Sequence, residues 1–109
     1  MRTLALLIAI VAVLLYAMPM TAADAGAGKD LYAKKCASCH GAAGEGKDAI
    51  AKMFKVEMKP LNSKEVQARS DADMKKVILE GNGKMNAVKD VDSKAADDIV
   101  AYVRTLAKK

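Results

Sequence analysis

Hydrophobic positions fall into two regimes along this chain. From Leu4 to Met18 they form an unbroken run of 15 apolar residues, whereas beyond residue 25 they alternate with polar residues at helical intervals. Gly28, Tyr32 and Cys36 recur every four residues and share one face, flanked by Leu31 and Lys35, which predicts a first helix over Gly28 to Cys36. Between Lys47 and Lys59 the pattern is weaker. Ile50, Met53 and Phe54 fall at i, i+3 and i+4 and predict a short helix, with Met53 a core filler beside Phe54 and Pro60 closing the segment. Ser63 to Ala68 reads as another short helix capped by Ser63. The next one is clearer: Ser70 caps it, Asp71 and Asp73 suit its N-terminal dipole, Met74, Val77 and Ile78 form one face, and Gly81 stops it. Asn82 to Val91 has little periodicity and reads as a loop. A last helix starts near Ser93, with Ile99, Tyr102, Val103 and Leu106 on one stripe. Its acids Asp97 and Asp98 come early and Arg104, Lys108 and Lys109 come late, as the dipole prefers. No segment alternates as a strand does. The predicted fold class is all-α.

The N-terminal run has a different meaning. Arg2 and the amino terminus form a short positive region before it, Pro19 breaks it, and Ala23-Asp24-Ala25 follows as an A-x-A cleavage pattern. This predicts an export signal over residues 1–25, cut after Ala25. The competing reading is a retained anchor, since counting on to Ala23 gives 20 mostly apolar residues, just enough to span a bilayer. Both readings place the rest of the chain outside the cytoplasm, and the signal reading makes it periplasmic. What remains, residues 26–109, is one small domain whose core is marginal by itself. The overall hydrophobic content of 52% is inflated by the leader and says little about that core.

Charge narrows the partners. Without Arg2 and Asp24 the domain keeps 17 basic and 12 acidic residues, a balance of +5. Such a surface suits an acidic protein or membrane surface, through attraction that salt weakens. Nucleic acid is a poor partner for an exported domain with four aromatic residues in the whole chain, one of them in the leader.

The chemistry lies in Cys36-Ala37-Ser38-Cys39-His40, a Cys-x-x-Cys-His sequence. Two thiols three residues apart can add across the two vinyl groups of a haem, and the imidazole that follows can coordinate its iron. Three other readings compete. A structural zinc site usually needs four Cys or His ligands, and the chain has two Cys and one His. A redox-active pair expects a βαβ setting. A structural disulfide over so short a loop gains little. Haem attachment is the strongest of the four, with His40 as the proximal ligand, and it supplies the apolar body that a small core lacks. There is one such motif, hence one haem. Gly41, Gly44 and Gly46 predict a sharp loop directly after the ligand.

His40 is the only histidine, so bis-histidine ligation within the chain is excluded. The opposite axial position then takes a methionine, a lysine or nothing. Beyond the leader the methionines are Met53, Met58, Met74 and Met85. Met53 and Met74 read as packing residues. Met58, just before Pro60, competes with Met85, which sits between two helices in Gly81-Asn82-Gly83-Lys84-Met85-Asn86-Ala87. There a thioether can be held against iron without leaving a hole in the core, and Met85 is favoured.

Over residues 26 to 109 the chain resembles a small bacterial class I c-type cytochrome. Gly28 through Gly41 is similar to that family's first helix and haem-binding stretch, and Ile99-Val100-Ala101-Tyr102-Val103-Arg104-Thr105-Leu106 to its last helix. The resemblance implies three to five helices around one covalently attached haem c. It also implies that first and last helices cross at Gly28, Tyr32 and Tyr102, and that Met85 is the loop ligand. Many members carry Pro directly after this methionine, where this chain has Asn86, and many carry a Trp near the haem, which this chain lacks. The expected function is a diffusible, monomeric carrier of single electrons between redox partners, membrane complexes among them, with no catalysis of its own. Lys34, Lys35, Lys47, Lys52, Lys55, Lys84 and Lys89 lie in segments able to ring the haem edge and steer acidic partners. Two alternatives stand beside it: an open-iron haem domain that binds a small ligand or acts as a peroxidase, and an electron-accepting subunit dedicated to one dehydrogenase.

Overall fold

Asp24 starts the fold. In the computed structural model, which describes residues 22–108, its carboxylate accepts the backbone N–H groups of Gly26 (2.9 Å) and Ala27 (3.2 Å). Helix α1 accordingly runs from Ala25 to Lys35, three residues earlier than the apolar spacing predicts. A cap acts through hydrogen bonds and leaves no trace in hydrophobic periodicity. The apolar run Leu4–Met18 and most of the predicted leader lie outside the described residues.

Five further helices follow: α2 (Ala37–His40), α3 (Asp48–Phe54), α4 (Lys64–Gln67), α5 (Asp71–Glu80) and α6 (Ser93–Thr105). Of these, α2 and α4 are single turns of four residues. Among the described residues the one β-type pairing is an isolated bridge between Asn82 and Met85, so the all-α expectation holds. The predicted caps also form. Ser63 Oγ accepts Val66 N–H at 3.4 Å and Ser70 Oγ accepts Asp73 N–H at 3.1 Å. At α6 the cap is Asp92, which accepts Ala95 N–H at 2.8 Å. Lys55, at φ +53°, ends α3 in the left-handed conformation.

The core is built where α6 lies against α1 and α5. Tyr32, Met74, Ile78, Ala96, Ile99, Val100 and Val103 are buried there, and the Tyr32 and Tyr102 rings meet at 5.2 Å and 60°. Gly28 makes the crossing possible, because a Cβ at this position would lie 1.9 Å from the Asp98 carbonyl oxygen. One expectation is corrected here. Met53 is not a core filler: it is 64% exposed and Phe54 is 41% exposed. Their spacing does make a helix, but among the described residues only Ile50 of that apolar face is half-buried, and Met53 and Phe54 stay exposed.

Two charged residues do more than complement a dipole. Asp98 is buried and accepts the backbone N–H of Asp24 at 2.8 Å together with the Lys94 ammonium. The Asp24 amide first, then Lys94, holds its carboxyl below the ordinary aspartate value. Stabilisation from a depressed carboxyl is fully present above its unfolded pKa and is lost as pH falls through the lower folded value. Asp98→Asn should therefore lower the melting temperature at neutral pH, and less so in acid, in melts recorded down into the acid range.

Arg104 ties the end of α6 to the α4–α5 connection. Its Nε donates to Asp71 Oδ1 (2.9 Å), Nη1 to the Gln67 carbonyl (2.7 Å) and Nη2 to the Arg69 carbonyl (2.6 Å). A lysine cannot reproduce a planar fork aimed at three acceptors. Arg104→Lys is expected to cost about 1–2 kcal/mol in denaturant unfolding, allowing for the partial exposure of the site.

Candidate functional site

Cys36 ends α1 and begins α2, and the site is organised around its carbonyl. Cys36 N–H still donates to the Tyr32 carbonyl at 2.9 Å, while its own carbonyl accepts Cys39 N–H (3.2 Å) and His40 N–H (3.0 Å). Cys36, Cys39 and His40 thus sit on one turn, as residues three and four apart do. No disulfide joins the thiols. Burial, with Cys39 adding to it, pushes the Cys36 thiol up to about 11. A redox-active pair needs the opposite, a stabilised thiolate. No group of three or more His, Cys, Asp or Glu residues able to hold a metal ion occurs among the described residues, which leaves a zinc site without its extra ligands.

The His40 imidazole is largely withdrawn from water. Burial lowers its pKa and so keeps it neutral, with a lone pair available for coordination. Its Nδ1 is buried with no hydrogen-bond partner, which is costly unless something other than the described residues supplies one. The backbone behind it is well fixed. Gly46 N–H donates to the His40 carbonyl (2.7 Å) and Lys47 N–H to the Cys39 carbonyl (3.3 Å), while Gly41, Gly44 and Gly46 all have positive φ. The predicted sharp loop is present.

Sequence reasoning missed the second anchor. The Tyr32 hydroxyl, which spacing treats only as part of an apolar face, donates to the Gly41 carbonyl at 2.6 Å in a buried setting. Burial, then the nearby Cys36 and Glu45, pushes its pKa up to about 12, so it remains a donor at any ordinary pH. The signal in the chain was tyrosine rather than phenylalanine at a core position, since a buried phenol needs a partner. Tyr32→Phe leaves that carbonyl, next to the histidine, with only the longer bond from Gly44 N–H at 3.2 Å. It should cost about 1–2 kcal/mol in thermal or denaturant melts.

The two competing methionines occupy different surroundings, and both are half-buried. Met58 packs at the loop after His40, its Sδ 3.6 Å from where a Gly46 Cβ would stand. Met85 lies in a tight two-residue turn: Asn82 N–H donates to its carbonyl (2.8 Å) and its own N–H donates to the Asn82 carbonyl (3.0 Å). Gly81, at φ +84°, closes the turn so tightly that a Cβ would meet the Met85 carbonyl oxygen at 2.6 Å. The seven lysines in question are all exposed, with Lys35 paired to Asp90 at 3.9 Å.

The donor set fits a haem. It offers two unpaired thiols one turn apart, a neutral imidazole with an unsatisfied buried nitrogen, and uncovered apolar side chains at Met53, Phe54 and Val56 on the segment that leaves the loop. A flat apolar ring held by two thioethers and bearing iron answers all three.

Comparison with known proteins points the same way. The family model described as Cytochrome C oxidase, cbb3-type, subunit III matches residues 23–103. No curated protein matches the sequence. Among solved structures the chain is similar to KustC0563 c-type cytochrome, with a TM-score of 0.63 and 26% identity over 74% of this chain and 98% of that one. It is also similar to cytochrome cL from Hyphomicrobium denitrificans, with a TM-score of 0.59 and 25% identity over 76% of this chain and 47% of that one. The chain thus spans about half the length of the second protein. With the fold, the motif and the matched residues in agreement, the chain belongs to the cbb3-type cytochrome c family as a small class I c-type cytochrome, an electron carrier with covalently bound haem c.

Proposed function

We propose that this protein is an exported, periplasmic, monomeric monohaem cytochrome that passes single electrons between redox partners and catalyses no reaction itself. Cys36 and Cys39 would hold the haem through thioether bonds, and His40 and Met85 would be its axial ligands. The observation that carries the reading is the single turn Cys36–His40, with its two unpaired thiols and its unpartnered, neutral imidazole. When bound, the haem supplies an iron that exchanges one electron without a change of ligands.

The chain's own residues provide the rest. Tyr32 and the Gly46 N–H hold the adjacent Gly41 and His40 carbonyls at the end of the ligand turn, so His40 need not move when charge changes. Apolar burial keeps the imidazole unprotonated. A thioether from the Asn82–Met85 turn would favour the reduced state over the oxidised one relative to a second imidazole. The exposed lysines, Lys34, Lys47, Lys52, Lys55, Lys84 and Lys89 among them, would guide acidic partners into brief contact.

The test is carbon monoxide. The reduced, haem-loaded protein at neutral pH is expected to resist it, because both axial positions are taken. Rapid uptake would mean an open iron and would shift the function to ligand binding or peroxidase chemistry. Reduction by acidic partner proteins is expected to slow steeply as ionic strength rises through the physiological range. A rate indifferent to salt would remove the lysines from the docking role.

A further inference from the structure

We propose that the leader is removed by hydrolysis of the Ala23–Asp24 peptide bond, so that Asp24 becomes the first residue of the mature protein and its α-ammonium group docks on the buried Asp98 carboxylate. The proposal rests on the export reading above and places the cut two residues earlier than the A-x-A pattern predicts. The reaction consumes one water, leaving a carboxylate on Ala23 and a free amine on Asp24, as an export-linked peptidase does.

Several sites satisfy the requirement for small residues three and one before the cut, among them Thr21 with Ala23, Ala23 with Ala25, and Ala25 with Ala27, and every cut beyond Ala23 removes Asp24 from the mature chain. The A-x-A spacing favours the cut after Ala25, whereas the fold favours the one after Ala23. Asp24 holds two structural contacts. Its side chain caps α1 through Gly26 and Ala27, and its backbone nitrogen lies 2.8 Å from Asp98 Oδ1. A cut after Ala25 removes both. It leaves an α-ammonium at Gly26, inside the first turn of α1, with no carboxylate to cap the helix, whereas at Asp24 the same unfavourable dipole is offset by the residue's own capping carboxylate and by Asp98. It also strips Asp98, whose side chain is 8% exposed, of every described donor except Lys94.

A cut after Ala23 preserves the cap and strengthens the second contact. The nitrogen that donates to Asp98 becomes a charged group, and a charge-assisted bond replaces a neutral one. The contact is also well placed. Asp98 is the residue whose carbonyl the α1 backbone approaches at Gly28, so the new terminus would be fastened beside the α1–α6 crossing. Ala22 and Ala23, by contrast, are exposed and lie outside every helix, while Ala25 is already part of α1.

Intact mass and N-terminal sequencing of the exported, haem-loaded protein test the position of the cut. The expected product begins at Asp24, heavier by one aspartate and one alanine residue than a chain beginning at Gly26. A Gly26 start, or a retained leader, would overturn the proposal while leaving the electron-carrier reading intact, because the visible spectrum reports that reading separately. Docking is tested with a variant lacking Asp24 and Ala25, so that Ala23 precedes Gly26. Its mature form is expected to keep the haem spectrum and melt lower by about 4–8 °C. An unchanged melting temperature would show that Asp24 contributes nothing at the terminus. Should that variant not accumulate, Asp98→Asn in the full gene gives the second reading. It should lower the melting temperature and leave the cut in place, and unchanged stability would overturn the docking.

Discussion

Met85→Ala is expected to abolish the weak far-red ferric band of methionine–sulfur ligation and to let the reduced protein take up carbon monoxide. The argument starts from the loop. Asn82 and Met85 exchange two backbone hydrogen bonds (2.8 and 3.0 Å), and Gly83, at φ +58°, occupies the first central position, where two-residue hairpin turns favour glycine. Val88 N–H then returns to the Ile78 carbonyl at 2.9 Å, fastening the loop to the end of α5. A thioether on so short a tether would lose little freedom on binding iron, which would offset the absence of a proline after it. Removing the side chain leaves that backbone intact and takes away only the sulfur. The change should therefore be all-or-none in the band and small in thermal stability of the apo fold. Met58→Ala is the control, expected to keep the band. The reverse pattern, with the band lost in Met58→Ala and kept in Met85→Ala, would transfer the ligand to Met58.

The second large effect concerns the fold. Gly28→Val is expected to prevent the protein from accumulating in folded form, or to lower its stability by about 3 kcal/mol or more. A Cβ at this position would meet the Asp98 carbonyl oxygen at 1.9 Å, its carbon at 2.5 Å and Ile99 N at 3.0 Å. These are backbone atoms of the buried residues Asp98 and Ile99, and no rotamer change can move them aside. The axes of α1 and α6 would have to separate, which unpacks Tyr32, Ile99 and Val103 together. In a thermal melt, a loss of that size corresponds to about 12 °C or more for a domain of this length. Gly26→Ala, two residues earlier, is the comparison. Its Cβ meets only the Asp24 carboxylate, at 3.2 Å, and the cost should be far smaller. Equal tolerance at both positions would show that the crossing is looser than its geometry implies.

Much of this arrangement was legible in the chain. The caps at Ser63 and Ser70, the stop at Gly81 and the buried stripe of Ile99 and Val103 follow from spacing and local hydrogen bonding. These are short-range effects, decided within a turn or two. What sequence reasoning misjudged involves partners far along the chain. Position alone makes Asp98 a dipole-matching charge near a helix start, yet it is buried, with the N–H of Asp24, 74 residues away, brought to it. Arg104 looked like a C-terminal cation, but its acceptors lie on residues 67, 69 and 71. Met53 had the spacing of a core residue and is exposed, because helical periodicity defines a face without saying whether protein covers it.

The chemistry is local: Cys-x-x-Cys-His brings two thiols and an imidazole onto one turn through short-range geometry, whatever the rest of the chain does. The helices are local too, their ends set by caps and glycines a few residues apart. How closely α1 and α6 approach, which carbonyl the Tyr32 hydroxyl finds beside His40, and why Asp24 belongs to the folded domain emerge only in the assembled fold. Each of those depends on contacts between segments distant in the chain. Such contacts form only when the core closes, so no local pattern encodes them.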